Sequence, residues 1–286
     1  MRVILSKNAI ALGTFDGVHI GHRAVLNLPD GYKKTAVTFA LPPKSVLSGN
    51  KGLITTIDDK CRILKDLGFE DIELLEFEKI RNMSAIEFLN FLKQKYNPDY
   101  ISCGFNYKFG KNSAGTTETL KNYCLENSIT LNVSDCVEKD GIPVSSTVIR
   151  NMLSNGDIVG ANKLLSMPFS FEGEVVSGDK RGRTLGFPTI NQKYPEELVK
   201  VKFGVYKTRV EFDGKHYIGI TNIGIRPTYK TDYVTSETYI SGFSGNLYGK
   251  NVRITLLEFL REERKFSNST ELKNQIEADL KNIKEI

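Results

Sequence analysis

Several features that mark specialised classes of protein are missing from this sequence. No apolar run approaches the roughly 20 residues that cross a bilayer, so we expect no transmembrane segment. The net charge of +5 comes without a dense run of Lys or Arg, which argues against a surface for nucleic acid or membrane. Internal repeats and low-complexity segments are also absent. A mild positive excess of this kind is equally compatible with small phosphorylated ligands.

Cysteine is scarce and shows no motif spacing. The four cysteines lie in the first half of the chain without a CxxC pair, and no secretory signal precedes them. They are Cys61, Cys103, Cys124 and Cys136. We therefore expect reduced thiols in a cytoplasmic protein.

Apolar and charged residues, by contrast, are present in ordinary amounts. Hydrophobic residues make up 40% of the sequence and charged residues 26%, close to globular averages, so each half can bury a core. At 286 residues the chain exceeds the usual size of one domain. Two domains are the expectation, and a single large α/β domain is the alternative.

The first half alternates strand-like runs with helix-period segments, which is typical of a parallel sheet flanked by helices. The predicted strands are Ala9–Leu12, Thr35–Phe39, Asp71–Leu75, Tyr100–Cys103 and Ile129–Val133. The predicted helices between them are Asp58–Leu67, Ala85–Tyr96 and Thr116–Glu126. This pattern predicts a doubly wound, Rossmann-like α/β domain.

After Leu165 the pattern changes to strands separated by glycine-rich turns, which predicts an antiparallel β-barrel. These strands are Phe169–Val176, Val205–Phe212, Lys215–Asn222, Thr235–Ser241 and Asn251–Phe259. The stretch Ser267–Ile286 carries apolar residues on one face and predicts a terminal helix packed on the barrel. We place the boundary between Asn155 and Met167, which assigns residues 1–160 to the first domain and 161–286 to the second.

The segment Gly13–His22, directly after the first predicted strand, is a candidate phosphate site. Its glycines permit a tight turn, and a helix starting near Gly21 presents free N–H groups to an anion. His19 and His22 can donate hydrogen bonds to phosphate oxygens as charge develops. This suits nucleotidyl transfer, in which a phosphate attacks the α-phosphorus of ATP and pyrophosphate leaves. The alternative is a chance turn with surface histidines, although only one further histidine occurs in the chain.

The segment Ser145–Arg150 fits the same chemistry. Hydroxyls at a helix start, followed one turn later by Arg150, can hold the β- and γ-phosphates of ATP. A simple N-cap with a solvated arginine is the alternative interpretation.

A second candidate phosphate site lies in the segment Gly173–Asn191, which combines a strand, a basic glycine loop and a Pro-Thr-x-Asn turn. Such a loop can fold over a triphosphate because its glycines admit phosphate to backbone N–H groups and its basic side chains supply charge. Thr189 and Asn191 offer hard oxygen ligands of the kind that Mg²⁺ accepts. The candidate ATP-binding residues here are Gly173, Gly178, Lys180, Gly182, Arg183, Thr189 and Asn191.

A kinase that acts on an alcohol also needs a carboxylate that orients the hydroxyl and receives its proton. Glu237, in a predicted strand, is the candidate. From the residues alone, a strand glutamate that faces solvent is an open alternative.

The motifs in series resemble those of the prokaryotic bifunctional riboflavin kinase/FAD synthetase family. In the first half, Gly13–His22 is similar to the family's G-x-F-D-G-V-H-x-G-H, Ser145–Arg150 to S-S-T-x-I-R and Gly104–Gly110 to G-x-D/N-F-x-F-G. In the second half, Gly173–Asn191 is similar to the flap and the G-F-P-T-A-N signature, with Ile190 in place of alanine. Asn222–Thr228 matches the N-I-G-x-R-P-T turn, and Glu237 matches the catalytic glutamate.

The resemblance implies an N-terminal nucleotidylyltransferase domain that converts FMN to FAD and a C-terminal riboflavin kinase domain that makes FMN. It implies ATP as co-substrate and Mg²⁺ as cofactor for both reactions. The residues implied around ATP in the first domain are Gly13, Thr14, Phe15, His19, His22, Ser146, Thr147 and Arg150, with His19, His22 and Arg150 catalytic. The residues implied near the flavin there are Asn106, Tyr107 and Phe109.

The first half departs from the family in two places. The helix after His22 is cut short by Asn27–Gly31, and Pro42 stands where the family has a histidine. One alternative is therefore a riboflavin kinase with a weak or degenerate adenylyltransferase domain, and another is a non-catalytic flavin- or RNA-binding regulator. We expect small-molecule partners only, namely riboflavin, FMN and ATP, with neither nucleic acid nor membrane, in a monomer or weak homo-oligomer.

Overall fold

The computed structural model describes residues 7–43, 52–178, 186–226, 233–264 and 266–284. The chain divides into two compact units. The first unit consists of the described chain up to Ile149 together with Leu164–Met167, and the second consists of Arg150–Lys163 and the described chain from Pro168 onwards. The domain boundary at residues 160/161 stays a prediction.

The first unit contains one five-stranded parallel sheet, in the order β3-β2-β1-β4-β5. Its strands are β1 (Lys7–Leu12), β2 (Tyr32–Phe39), β3 (Asp71–Leu75), β4 (Tyr100–Gly104) and β5 (Thr130–Ser134). A short antiparallel ribbon follows, formed by β6 (Glu138–Lys139) and β7 (Ile142–Pro143). The predicted Rossmann-like sheet is confirmed.

Helices connect the strands. They are α1 (Ile20–Leu26), α2 (Ile57–Asp66), α3 (Phe77–Ile80), α4 (Ala85–Tyr96), α5 (Thr117–Glu126), α6 (Ser146–Asn155) and α7 (Ile158–Leu164). Side chains of Thr56, Ser84 and Thr116 cap α2, α4 and α5, because each accepts a backbone N–H of the first turn. Local sequence signals therefore determine where these helices begin.

The alternation of β1 explains why helices cover both faces of the sheet. Ile10 and Leu12 belong to one buried cluster together with residues of α4 and α5. Ala9 and Ala11 point to the opposite face and belong to a second cluster with residues of α1 and α2. A strand that is buried on both faces is typical of a doubly wound fold.

The second unit is a nearly closed six-stranded antiparallel barrel in the order β8-β13-β10-β11-β12-β9. Its strands are β8 (Ser170–Glu174), β9 (Thr189–Lys193), β10 (Gly204–Phe212), β11 (Lys215–Arg226), β12 (Tyr233–Ile240) and β13 (Asn251–Arg261). The edge strands meet where Gln192 Nε2 donates to Gly173 O at 2.7 Å and where Val176 pairs with Asn191. The predicted barrel is confirmed.

The predicted terminal helix is also confirmed, as α8 (Ser269–Lys284). Asp279 on this helix is 5% exposed in its side chain and forms an ion pair with Arg261 of β13 at 2.8 Å. This pair joins the helix to the end of the last barrel strand.

Two local predictions in the second half are wrong. Thr189–Lys193 is strand β9 rather than part of a turn, and Asn222–Arg226 continues strand β11 rather than turning. Strand β9 pairs with β12, which is distant in sequence, so no local pattern indicates this pairing. Asn222–Arg226 instead lengthens the pairing of β11 with β12, the next strand along the chain. The correction places Asn191 and Asn222 on the strands that flank β12.

Candidate active sites

The first candidate site lies at the carboxyl edge of the parallel sheet. In the order β3-β2-β1-β4-β5, the chain moves to one side from β1 to β2 and returns to the other side of β1 as β4. Ligands of such sheets bind outside the carboxyl ends of the strands at this switch point. Gly13–His22, hereafter the phosphate loop, follows β1, and Asn106 follows β4. Both predicted motifs therefore leave the sheet at the switch point.

The phosphate loop has an unusual backbone. Phe15 and Val18 have positive φ angles of 47° and 38°, and both side chains are completely buried. Gly17 has φ 83°, which costs little without a Cβ. Non-glycine residues in this region are strained and persist only where the surroundings hold them, as at many functional sites.

A separate segment of chain holds the loop in this shape. Buried Asp16 accepts the backbone N–H groups of Ile54 at 2.9 Å and Thr55 at 3.3 Å. Gly17 N donates to Thr55 Oγ1 at 3.1 Å. Asp16 therefore has a structural role in this loop.

The two histidines form a stacked pair, with ring centroids 3.5 Å apart and planes 18° apart. His19 is the N-cap of α1, and its Nδ1 accepts the backbone N–H of His22 at 3.2 Å. In the neutral ring the hydrogen therefore lies on Nε2, which is a donor. Gly21 packs closely against this pair, because a Cβ there would lie 3.1 Å from the His19 ring. Both imidazoles therefore lie on the same side of the turn.

His22 is partly buried, and one of its ring nitrogens is enclosed without a hydrogen bond. Burial is the main cause that lowers its pKa well below the ordinary value, and the charges of His19 and Lys60 lower it further. Its Nδ1 has no hydrogen-bond partner among the described residues. A buried polar atom without a partner needs an explanation, and a bound ligand is one.

The start of α6 lies next to the phosphate loop. Ser146 Oγ donates to the carbonyl oxygen of Asp16 at 3.0 Å. Thr147 is exposed, and Ser145 Oγ accepts the N–H of Val148, as an N-cap does. The two predicted motifs of the first half are therefore neighbours up to Ile149, whereas Arg150 belongs to the second unit.

The remaining predicted residues of this site act through backbone groups or pack in the core. Thr14 accepts a hydrogen bond from Thr38 Oγ1 through its carbonyl, and Gly13 N donates to Val37 O, so both act through backbone groups here. Phe15 is completely buried and its ring meets the edge of His22 at 5.4 Å.

The predicted flavin residues follow β4. Asn106 is exposed, whereas Phe109 is 6% exposed and packs in the core against Phe88. Tyr107 stacks on Phe109, and burial raises the pKa of its hydroxyl. Phe105, which sequence reasoning did not select, is 50% exposed beside Asn106.

The second candidate site lies on one face of the barrel, centred on Glu237 in β12. Glu237 pairs directly with Asn222 of β11 on one side and with Asn191 of β9 on the other. Directly opposite residues share a face of the sheet, and neighbouring strands are about 4.8 Å apart. The register therefore brings a carboxylate and two amides into one row.

This row contains two unsatisfied acceptors. Asn191 is 7% exposed, and its Oδ1 has no hydrogen-bond partner among the described residues. Asn222 Oδ1 is buried and likewise unpartnered within the described chain, whereas its Nδ2 donates to Glu263 Oε1 at 2.8 Å. Two buried oxygens beside a carboxylate are suited to a cation or to hydroxyl donors.

The other predicted residues surround this row in part. Thr189 lies two residues before Asn191 on β9, so both side chains share a face. Gly178 lies against Asn191, because a Cβ there would be 2.4 Å from the amide nitrogen. Gly173 accepts from Gln192. Lys180, Gly182 and Arg183 lie outside the described residues.

Sequence reasoning missed three polar residues at these sites, namely Lys60, Asn222 and Glu263. Lys60 is 3% exposed, although it lies in a helix whose pattern indicates a solvent-facing lysine. The only signal for Asn222 was its place in the matched N-I-G-x-R-P-T motif. None of the three could be placed at a site before the tertiary contacts were known.

Comparisons with protein families also divide the chain into two parts, and each part contains one candidate site. A model of the FAD synthetase family matches residues 2–148, and a model of the riboflavin kinase family matches residues 165–286. A bifunctional riboflavin kinase/FMN adenylyltransferase of Bacillus subtilis is 33% identical over 287 residues, covering 96% of this chain and 90% of the relative. The protein of the same name from Escherichia coli K12 is 30% identical over 281 residues, covering 94% and 90%.

A solved structure is also similar. It is a crystal structure of a protein described as a macrolide-efflux protein from Streptococcus pneumoniae, with 30% sequence identity, a TM-score of 0.91 and coverage of 99% of this chain and 95% of the other. Within the described part of the present chain, no helix is long and apolar enough to span a membrane. Because both family models match in series and relatives at 33% and 30% identity align over nearly their whole length, the chain belongs to the bifunctional riboflavin kinase/FMN adenylyltransferase family.

Proposed function

We propose that the two activities of this bifunctional enzyme are divided between the two candidate sites. The chain is a riboflavin kinase and an FMN adenylyltransferase. The barrel site phosphorylates riboflavin to FMN with ATP, and the site at the phosphate loop adenylylates FMN to FAD with a second ATP. The proposal is supported by the order of the family matches, in which the adenylyltransferase part precedes the kinase part.

For adenylylation, a phosphate oxygen of FMN attacks the α-phosphorus of ATP, and the bond to the leaving pyrophosphate breaks. The reaction needs no protein nucleophile, so positioning and charge stabilisation supply the rate. The stacked pair His19–His22 provides the donors, and Ser146, Thr147 and Arg150 are proposed phosphate ligands. The observation that carries this assignment is the buried, unpartnered Nδ1 of His22 beside a strained loop at the switch point.

For phosphorylation, the 5′-hydroxyl of riboflavin attacks the γ-phosphorus of ATP, its proton passes to Glu237, and ADP leaves. Glu237 stands between Asn191 and Asn222 in the row of adjacent strands. This register is the observation that favours a catalytic carboxylate over a solvated strand glutamate. Lys180, Gly182 and Arg183 stay predicted ligands of the triphosphate.

Mg²⁺ fits the residues of the barrel site. Asn191 Oδ1 is buried without a partner in the described chain, and Thr189 adds a hydroxyl on the same face. These are the hard oxygen donors that Mg²⁺ accepts beside water and phosphate. When bound, the ion would neutralise charge on the transferred phosphoryl group. Thr189 and Asn191 would hold it.

Domain limits, location and partners rest on the sequence expectations. We propose domains at residues 1–160 and 161–286, a cytoplasmic location, a monomer or weak homo-oligomer, and no nucleic-acid or membrane partner. The four free cysteines support a reducing compartment.

A time course of products tests the proposed function. Purified protein with riboflavin, ATP and Mg²⁺ should form FMN first and FAD later, and supplied FMN with ATP should give FAD and pyrophosphate. Accumulation of FMN without FAD would indicate a kinase with a degenerate adenylyltransferase half, which the short α1 and Pro42 motivate. Flavin binding without either product would contradict the enzymatic assignment.

A further inference from the structure

Lys60 is a buried charge that the reaction scheme above does not use. It lies in the second turn of α2, a helix capped by Thr56, and only 3% of the residue is exposed. Lysine is almost never fully buried unless its ammonium group finds partners. The partners of Lys60 therefore indicate why the charge is there.

The ammonium group joins the ends of two neighbouring strands. Lys60 Nζ donates to the carbonyl oxygen of Phe39, the last residue of β2. It also donates to the carbonyl oxygen of Thr14, in the phosphate loop, at 3.4 Å. Thr14 O accepts a second hydrogen bond from Thr38 Oγ1 at 2.9 Å. Lys60 and Thr38 therefore hold the first turn of the phosphate loop from two sides.

The charge of Lys60 acts on the residues of the candidate site. Burial lowers the pKa of Lys60, whereas the nearby carboxylate of Asp16 and the thiol of Cys61 favour its charged form. Lys60 in turn lowers the pKa of His22, together with burial and His19. Burying a cation here costs desolvation energy. A neutral donor could also make hydrogen bonds to two carbonyl oxygens, so these bonds alone do not require a charged side chain.

We propose that Lys60 is a positioning residue for FMN adenylylation, which anchors Thr14 at the carboxyl edge of the sheet and places a positive charge beside the His19–His22 pair. The inference rests on the proposed function of the phosphate loop. Together with burial and His19, the charge favours the neutral form of His22, and it adds to the positive field that the triphosphate meets.

Two variants of Lys60 separate its charge from its volume. Lys60→Met keeps most of the volume but removes the charge, and Lys60→Arg keeps the charge. Lys65→Met is the matched control, because Lys65 lies exposed on the same helix. We expect Lys60→Met to lower kcat/KM for FMN adenylylation by about 100-fold, with partial recovery in Lys60→Arg and less than a two-fold change in Lys65→Met. Riboflavin phosphorylation by the same samples reports on the folding of the rest of the chain.

A histidine titration tests the charge directly. The chain has only His19, His22 and His216, so three ring signals can be followed by NMR against pH. The groups that act on His22 are His19 and Lys60, with Asp16 and Cys61 acting on Lys60. The pKa of His22 should rise in Lys60→Met and stay low in Lys60→Arg. His216, which is exposed and paired with Glu211, should not change.

The outcomes are decisive in either direction. Adenylylation within three-fold of wild type in Lys60→Met would overturn the proposal. Equal losses in Lys60→Met and Lys60→Arg, with the titration of His22 unchanged, would overturn it in favour of a packing role. An inactive wild type would instead count against the proposed function of the site, and the titration would still test the effect of Lys60 on His22.

Discussion

The two candidate sites of this chain are built in different ways. In the first unit, the polar groups lie in a loop beyond a parallel strand, and a second segment, Ile54–Lys60, holds that loop in a strained shape. In the second unit, Asn191, Glu237 and Asn222 face one another simply through the register of adjacent antiparallel strands. The first geometry depends on contacts with a separate segment of chain, whereas the second depends mainly on strand pairing, with Asn222 also bonded to Glu263. Substitutions around the phosphate loop should therefore disturb adenylylation more easily than substitutions around the barrel site disturb phosphorylation.

The largest expected effect separates the two sites completely. Glu237→Ala should lower riboflavin phosphorylation by about 10³-fold, because the attacking hydroxyl loses the group that orients it and takes its proton. Formation of FAD from supplied FMN should stay within two-fold of wild type. The measurement is the initial rate of each product. Glu258→Ala, an exposed strand glutamate of the same barrel, is the control and should leave both rates unchanged. Normal FMN formation by Glu237→Ala would remove the residue from the mechanism.

The reverse separation comes from the imidazole pair. His22→Ala should lower adenylylation by about 10²- to 10³-fold, as expected for the loss of a donor to developing charge. His19→Asn should have a similar effect, and because asparagine is itself a good N-cap, it spares α1. Phosphorylation of riboflavin serves as the internal control, and His216→Asn as the matched histidine control. Unchanged FAD production in both variants would disprove the role of the pair.

A smaller effect concerns the metal at the barrel site. Asn191→Ala removes a buried amide oxygen without a partner in the described chain. We expect the Mg²⁺ concentration at half-maximal kinase rate to rise by about ten-fold, the lower end of the cost of perturbing a metal site. The Mg²⁺ dependence of adenylylation should not move. Equal shifts of both activities would mean that Asn191 does not hold the kinase metal.

The smallest effect is one of stability and pH. In the folded protein the pKa of His22 lies below its ordinary value of 6.5. Below pH 6.5 the unfolded state therefore binds a proton that the folded state does not bind. The free energy of unfolding of the first unit should carry no penalty from His22 above pH 6.5. On acidification it should fall by at most about 1.4 kcal/mol per pH unit. Denaturant unfolding of wild type and His22→Gln, compared over pH, measures this. An equal dependence of the free energy of unfolding on pH below 6.5 in both proteins would contradict it.

Much of the fold could be predicted from the sequence because its signals are local. The strand Asp71–Leu75 and the helix Ala85–Tyr96 follow from periodicity and from Ser84 as a cap, and the structure has both with the predicted bounds. The short α1 also ends where Asn27 and Pro29 predict. Strand β9 was missed because its pairing with β12 is not visible in a local pattern.

The sequence by itself determined the two halves, their sheet types and the motifs that resemble those of flavin-synthesising enzymes, since periodicity, caps and short motifs are properties of neighbouring residues. Only the tertiary structure decided which polar groups meet: Lys60 reaches Thr14 across 46 residues, and Asn222 stands opposite Glu237. Strand order and register determine these contacts, and both depend on the burial of distant apolar residues against each other.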